Sequence, residues 1–334
     1  MKIFENSRIK KVRVLFFALL IFSILLLILS LGIGYYDMNI VDVFNIIIGK
    51  SDSRNHITVF NIRISRIIAA YLIGAALSVS GATYQGVLKN PLVSPDILGV
   101  ASGAGMGAAA AIMLNLSLIY IQLFAFAGGI LAVSVAFVIS RKVKFDSRVS
   151  LILSGVLVGS LAYSVTSLFK YFADTQNQLP DMTHWLMGSL SKVDMDAVLF
   201  SLPFMAIGFI ILYLMRFRLN VLSLSDIEAQ SLGVNTKRAM IGVIAGSTLL
   251  CSAAVCLGGL IGWIGLMIPH ITRSLVGPRF RRLLPITAML GGVFLLIMDN
   301  IVRSLWVVEI PIGLAISFIG APFFYMLIKR GKKS

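Results

Sequence analysis

The sequence predicts an all-α polytopic membrane protein, a single domain of about ten transmembrane helices. Three observations carry this. Hydrophobic residues make up 58% of the chain and charged residues 13%, with a mean hydropathy of +0.95, whereas the surface of a soluble globule needs far more charge. Apolar runs long enough to cross about 30 Å of hydrocarbon recur along almost the whole chain, with only short polar breaks. With the N-terminus inside, 22 of the 29 Lys and Arg residues fall on one side, which is the positive-inside pattern.

The spans follow in order. Residues 14–34 form the first, uncleaved because they lack a small-residue cleavage site and exceed a signal-peptide core. The second, 64–84, is entered by Arg63 and Arg66 and is rich in small residues. A turn punctuated by Asn90-Pro91 and Pro95 leads into the third, 98–114, where Gly99, Gly103 and Gly107 recur every four residues. The fourth is 118–140. Gly155 and Gly159 repeat that spacing in the fifth, 149–169; such stripes allow close helix approach, either inside the chain or at a dimer seam. The sixth is 198–215. The seventh, 239–257, holds Cys251 and Cys256 at a spacing that suits neither a metal site nor a local disulfide, so both read as packing residues. Gly262, Gly265 and Pro269 interrupt the eighth, 260–275, a pattern tolerated only where protein or water satisfies the freed backbone groups. The ninth and tenth are 284–302 and 312–328.

This arrangement makes the net charge of +15 a topology signal rather than a nucleic-acid footprint. Outside lie the longer segments 35–61 and 171–197, with a short surface helix over 42–48 and an interfacial anchor at His184-Trp185. Inside, residues 277–285 form an arginine-rich turn suited to lipid headgroups. Residues 220–238 stand out among the inner loops. There Ser225 and Glu228 form a capping box and Gly233 sits where a left-handed helix stop falls. A helix of about two turns is marginal alone in water, so something docks on it, through Ile227, Leu232 and Val234.

Catalytic chemistry is sparse. Asp299 lies well inside a span, where a lone charge costs roughly 2.5 to 3.5 kcal/mol; Arg303 one turn later can pair with it. A structural ion pair and a proton relay both stand as readings. His270, after Pro269 and before Arg273, suits a hydrogen bond to freed carbonyls. His56 and His184 are distant in sequence, so no metal cluster is visible. The only trace of a phosphate-binding G-x-x-x-x-G-K-[ST] loop is Gly49-Lys50-Ser51, and position 44 is Phe. ATP-powered transport by this chain therefore needs a separate subunit. Arg63 and Arg66, at i and i+3, share one face at the outer mouth with Arg303; they either snorkel to lipid phosphate or dock an acidic partner.

On these residues the chain resembles the iron-chelate, haem and cobalamin permeases of bacterial ABC importers, the FecCD-type family that includes the vitamin B12 permease. The motifs occur in order: Arg63-x-x-Arg66, Gly74-Ala75, Ser80-Gly81, Gln85, Asn90-Pro91-Leu92, Pro95, Leu98-Gly99, Ser231-Leu232-Gly233, Gly265-Leu266, Pro269-His270, Arg273, Asp299, Arg303 and Glu309-x-Pro311-x-Gly313. One departure is Ser65, where the family usually has proline.

The resemblance implies a type II ABC importer permease fold whose second to fifth and seventh to tenth spans form an inverted pseudo-repeat. It implies pairing with a second permease copy or a homologous permease around a path lined mainly by spans five and ten, with Ser154, Gly155, Ser317 and Gly320 on it. It implies an extracellular or periplasmic solute-binding protein docked on Arg63, Arg66 and Arg303. It also implies two ATP-binding-cassette ATPase subunits holding ATP and Mg and engaging the Ser225, Glu228, Ala229, Leu232 and Gly233 segment. The chain itself would bind no cofactor and act as a transport subunit, not an enzyme. A ferric siderophore or similar chelate is the expected cargo, with haem, cobalamin and an ion-coupled secondary transporter as alternatives.

Overall fold

A computed structural model describes residues 2–33, 62–143, 147–224, 226–305 and 309–331. The expected surface helix over 42–48, the Gly49-Lys50-Ser51 trace and the capping residue Ser225 lie outside them. The described residues form thirteen α-helices. These are α1 Lys2–Gly32, α2 Ser65–Val87, α3 Val100–Met113, α4 Leu118–Ser140, α5 Ser147–Phe172, α6 Gln178–Leu186, α7 Met195–Leu214, α8 Arg216–Leu222, α9 Asp226–Ser231, α10 Thr236–Gly258, α11 Ile264–Val276, α12 Phe280–Leu305 and α13 Ile312–Gly331. Seven are long and apolar enough to cross a membrane, and α3, α11 and α13 contribute shorter apolar stretches. Each of the ten expected spans has its helix.

A short second helix recurs in each half. From α2 to α5 the helices run 23, 14, 23 and 26 residues, and from α10 to α13 they run 23, 13, 26 and 20. In both halves a break precedes the short second member: Gly99 at φ 82° before α3, Gly259 at φ 71° before α11. Four crossings, α3, α4, α5 and α7, lie between α2 and α10, so α10 runs opposite to α2, which makes the repeat inverted.

The core is α2, α10 and α12, whose apolar stretches are 67%, 72% and 67% buried, against 11% for α1. Small residues bring these helices close: a Cβ on Gly74 of α2 would strike the Gly291 carbonyl of α12, and one on Gly81 would strike Gly265 of α11. Hydroxyls then pair across the contact, where hydrocarbon offers no other partner. Ser80 Oγ donates to the Ser247 carbonyl at 3.0 Å, and the Tyr84 hydroxyl meets Thr248 Oγ1 at 2.9 Å. The glycines of α3 pack within the chain, since a Cβ on Gly103 would meet Gly128 of α4 and one on Gly107 the Phe124 carbonyl. Cys251 and Cys256 are buried and unpaired.

Three expectations need correction. The eighth span starts at Ile264, not 260, because Gly259 and Trp263 both hold positive φ. The arginine-rich turn is shorter than 277–285, as α12 already begins at Phe280, whose N–H is capped by Asn220 Oδ1 at 2.9 Å. Trp185 is half-buried and packs against the core instead of anchoring outward.

Candidate functional site

The basic residues Lys89, Arg141, Arg216, Lys237 and Arg279 mark one end of the bundle; Arg63, Arg66 and Arg303 lie at the other. The three arginines expected at an open mouth turn inward, only 5%, 8% and 6% exposed. Arg66 Nε donates to Asp299 Oδ1 at 2.8 Å, and Nη1 to Glu309 Oε1 at 2.7 Å. Arg303 Nε stands 3.6 Å from Asp299 Oδ2, an ionic contact without a hydrogen bond. The expected Asp299–Arg303 pair is therefore present, and Arg66 completes it from another helix. A fully buried carboxylate demands such neighbours, because a lone charge there is too costly to keep.

One donor each from Arg63 and Arg303 goes to the last turn of α1, whose final carbonyls have no helical partner. Arg63 Nη1 donates to the Leu31 carbonyl and Arg303 Nη2 to the Ser30 carbonyl, each at 2.7 Å. Asn300 Nδ2 reaches Ser30 Oγ at 2.7 Å and accepts from Arg303 through its own Oδ1. Sequence reasoning missed Ser30 and Asn300; the signal was a serine at the end of a lipid-facing span and an amide beside a buried acid. Ser65 donates its hydroxyl to the Val193 carbonyl at 3.3 Å and so fastens the start of α2. Among the charged groups of this cluster Glu309 is the exposed one, its side chain 39% accessible.

At the basic end Gln85 and Arg273 meet. Arg273 Nη1 donates to Gln85 Oε1 and Nη2 to the Ala82 carbonyl at 3.0 Å. Pro269 lacks the N–H that would bond Gly265 four residues earlier. Gln85 Nε2 covers that loss with weak contacts at 3.4 Å to the Gly265 carbonyl and 3.3 Å to that of Leu266, and it reaches Val93 at 3.2 Å. His270, expected to serve freed carbonyls, instead sets its ring 6.4 Å from that of Phe323 on α13. Asn90 Oδ1 accepts from the Leu92 N–H at 2.9 Å and shapes the turn around Pro91. Within that turn burial pushes the Asp96 carboxyl up to about 6.

In the segment 226–234 the short helix and its glycine stop fall where expected, while Val234, expected to be free for docking, packs half-buried against the core. Helix α9 has six residues, and Gly233 stops it at φ 72° with its N–H on the Gln230 carbonyl at 2.9 Å. Ala229 is buried against the body, Glu228 is exposed, and Leu232 is 58% exposed. A Cβ on Gly233 would touch nothing, so the left-handed backbone alone explains glycine there.

The expected path residues are placed differently. Ser154 is buried, and a Cβ on Gly155 would strike the Ile97 carbonyl of the 3-10 turn Pro95–Leu98. Gly320 sits under Trp263 in the same way, and half-buried Ser317 donates to the Gly313 carbonyl at 2.8 Å. These small residues let helices touch. The open face of α5 carries Leu153, Val156, Leu157, Ser160 and Leu161; that of α13 carries Leu314, Phe318 and Tyr325. Gly313, two residues after Pro311, places its N–H on the Gly188 carbonyl at 3.3 Å and seats the start of α13. Among the described residues no three His, Cys, Asp or Glu side chains gather in a metal-binding group.

Comparison with known proteins agrees with this architecture. The chain is 37% identical over 327 residues to the molybdate import system permease protein MolB of Haemophilus influenzae, covering 95% of this chain and 96% of that one. It is 34% identical to the hemin transport system permease protein HmuU of Yersinia pestis, over 93% of this chain and 94% of the relative. A solved chain described as an inward-facing metal-chelate type ABC transporter superposes with a TM-score of 0.84 at 34% identity, over 95% of this chain and 99% of that one. Residues 19–330 match the FecCD transport family. The likeness thus holds in both sequence and shape, and the chain belongs to the FecCD transport family of ABC importer permeases.

Proposed function

We propose that this permease imports a ferric siderophore or similar metal chelate, with its basic end and both termini in the cytoplasm. The observation that carries the chelate reading is the open face of α5. From Leu153 to Leu168 its exposed residues are apolar or hydroxyl-bearing and none is charged. Such a face, set against its counterpart in a second copy or a homologous permease, holds a bulky amphiphilic cargo weakly enough to let it leave. The molybdate permease at 37% identity favours an oxyanion as a second reading. Uptake by the reconstituted transporter of labelled ferric chelate, haem, cobalamin and molybdate separates them; transport of molybdate alone defeats the chelate reading.

A solute-binding protein would dock at the Arg63, Arg66 and Arg303 end. Because Arg66 is held by exposed Glu309, an acidic group of the partner would take the place of Glu309, leaving Asp299 as the permanent counter-ion. Reversing the arginines would unfold the cluster, so Glu309→Gln is the informative variant. It should raise affinity for the binding protein, and unchanged affinity refutes the exchange. Partner ATPase subunits, holding ATP and Mg, would engage Ser225 to Gly233 through exposed Leu232. Copurification of a P-loop subunit with the wild type, weakened in Leu232→Ser, is the direct check.

A further inference from the structure

The outer surface of the bundle carries a groove of about 380 Å³ between α4, α7 and α10, lined by Ile130, Phe137, Ile211, Ile241, Ala245 and Leu249 among others. That volume lies within the range of ligand pockets, roughly 300 to 1,000 Å³. Its two hydroxyls are already satisfied: Ser134 Oγ donates to the Ile130 carbonyl at 2.8 Å, and Thr248 Oγ1 meets the Tyr84 hydroxyl. The groove therefore offers a guest only hydrocarbon.

Each of the three helices leads from this groove to a cation. Arg141 follows Phe137 by one turn at the end of α4, and Lys237 precedes Ile241 by one turn at the start of α10. Arg216 opens α8 just after α7 and lays its guanidinium 4.5 Å from the centre of the Tyr213 ring. Lys142 and Arg238 flank the set, and Arg141, Lys142, Lys237 and Arg238 are exposed. Among the described residues none of these cations has an acidic partner. An uncharged trough between apolar helices, crowned at one end by positive charge that no carboxylate among the described residues neutralises, matches a molecule with an apolar tail and an anionic head.

We propose that this groove is a binding site for an anionic phospholipid, with an acyl chain between α4, α7 and α10 and its phosphate among Arg141, Arg216 and Lys237. Charge complementarity distinguishes it from the lipid that coats any span, since basic pockets between transmembrane helices favour anionic headgroups. An acidic surface of an ATPase subunit is the competing occupant of the cations, but it would leave the trough empty.

Native mass spectrometry of the full-length chain in detergent, titrated with phosphatidylglycerol or phosphatidylcholine of identical acyl chains, tests this. The wild type should retain phosphatidylglycerol in preference. In Arg141→Gln/Arg216→Gln/Lys237→Gln the preference should fall about fivefold for each charge removed. Ala245→Phe, an exposed position that fills the trough, should lower retention of both lipids and guards against misfolding of the triple variant. Equal retention of the two lipids by the wild type, or phosphatidylglycerol retention unchanged in both variants, overturns the proposal. So does a triple variant that keeps its lipid but loses the ATPase subunit.

Discussion

Arginines stand at both ends of this bundle, yet the two sets are handled in opposite ways. At one end Arg63, Arg66 and Arg303 are buried, and their donors go to Asp299, Glu309 and the last carbonyls of α1. At the other end Arg141, Lys142, Lys237 and Arg238 are exposed without acidic partners among the described residues. The same residue type thus closes a structure in one place and stays available for outside partners in the other. What separates them is a carboxylate within reach: Asp299 recruits two arginines inward, and among the described residues no carboxylate pairs with Arg141, Lys142, Lys237 or Arg238.

The sharpest way to break this contrast is to remove Arg66. Arg66→Met leaves Asp299 buried with only the distant Arg303 contact, and loss of one partner from a buried pair costs about 3 to 5 kcal/mol. A large fall in thermal stability in detergent is expected; a melting point near wild type would mean that the inward arginines are not structural. At the basic end, Gln85→Leu deprives Arg273 of one of its two acceptors and the Pro269 break of its donor, which should cost about 1 to 3 kcal/mol in the same measurement. A smaller effect is expected where the chain faces outward. Gly233→Ala strains a left-handed residue by roughly 1 to 2 kcal/mol, while Leu232→Ser should change stability by less than about 0.5 kcal/mol. Both should nonetheless reduce binding-protein-stimulated ATPase activity in the assembled transporter, and an unaltered rate would remove 226–234 from the coupling surface.

A pH dependence is expected as well. Burial raises the Asp96 carboxyl to about 6, so the folded state binds its proton more tightly than the unfolded chain. Stability from this group is present below about pH 4 and is lost as pH rises towards 6. Asp96→Asn should flatten the melting temperature between those values, and a slope identical to wild type would show that Asp96 does not supply it.

Much of the fold is legible in the sequence alone. The positions of the ten spans follow from hydropathy because hydrocarbon tolerates only helices whose backbone is satisfied within the segment. The Asp299–Arg303 pair and the Gly233 stop are readable because both obey local spacings, i to i+4 and the left-handed end of a helix. Arg66 meeting Asp299 across 233 positions has no such spacing and leaves no mark. For the same reason the sequence points to His270 for the freed carbonyls that Gln85 serves. Small residues mislead too: Gly155 and Gly320 read as lining an open path, but small side chains equally mark where helices touch, and here they lie under Ile97 and Trp263.

By itself the sequence determined the number of crossings and the basic end, both of which depend on composition within one segment. Tertiary structure alone decided which charges neutralise one another and which face of each helix is open. Those outcomes depend on neighbours brought together by packing, and in a medium without water a buried charge takes whichever partner the fold places within reach.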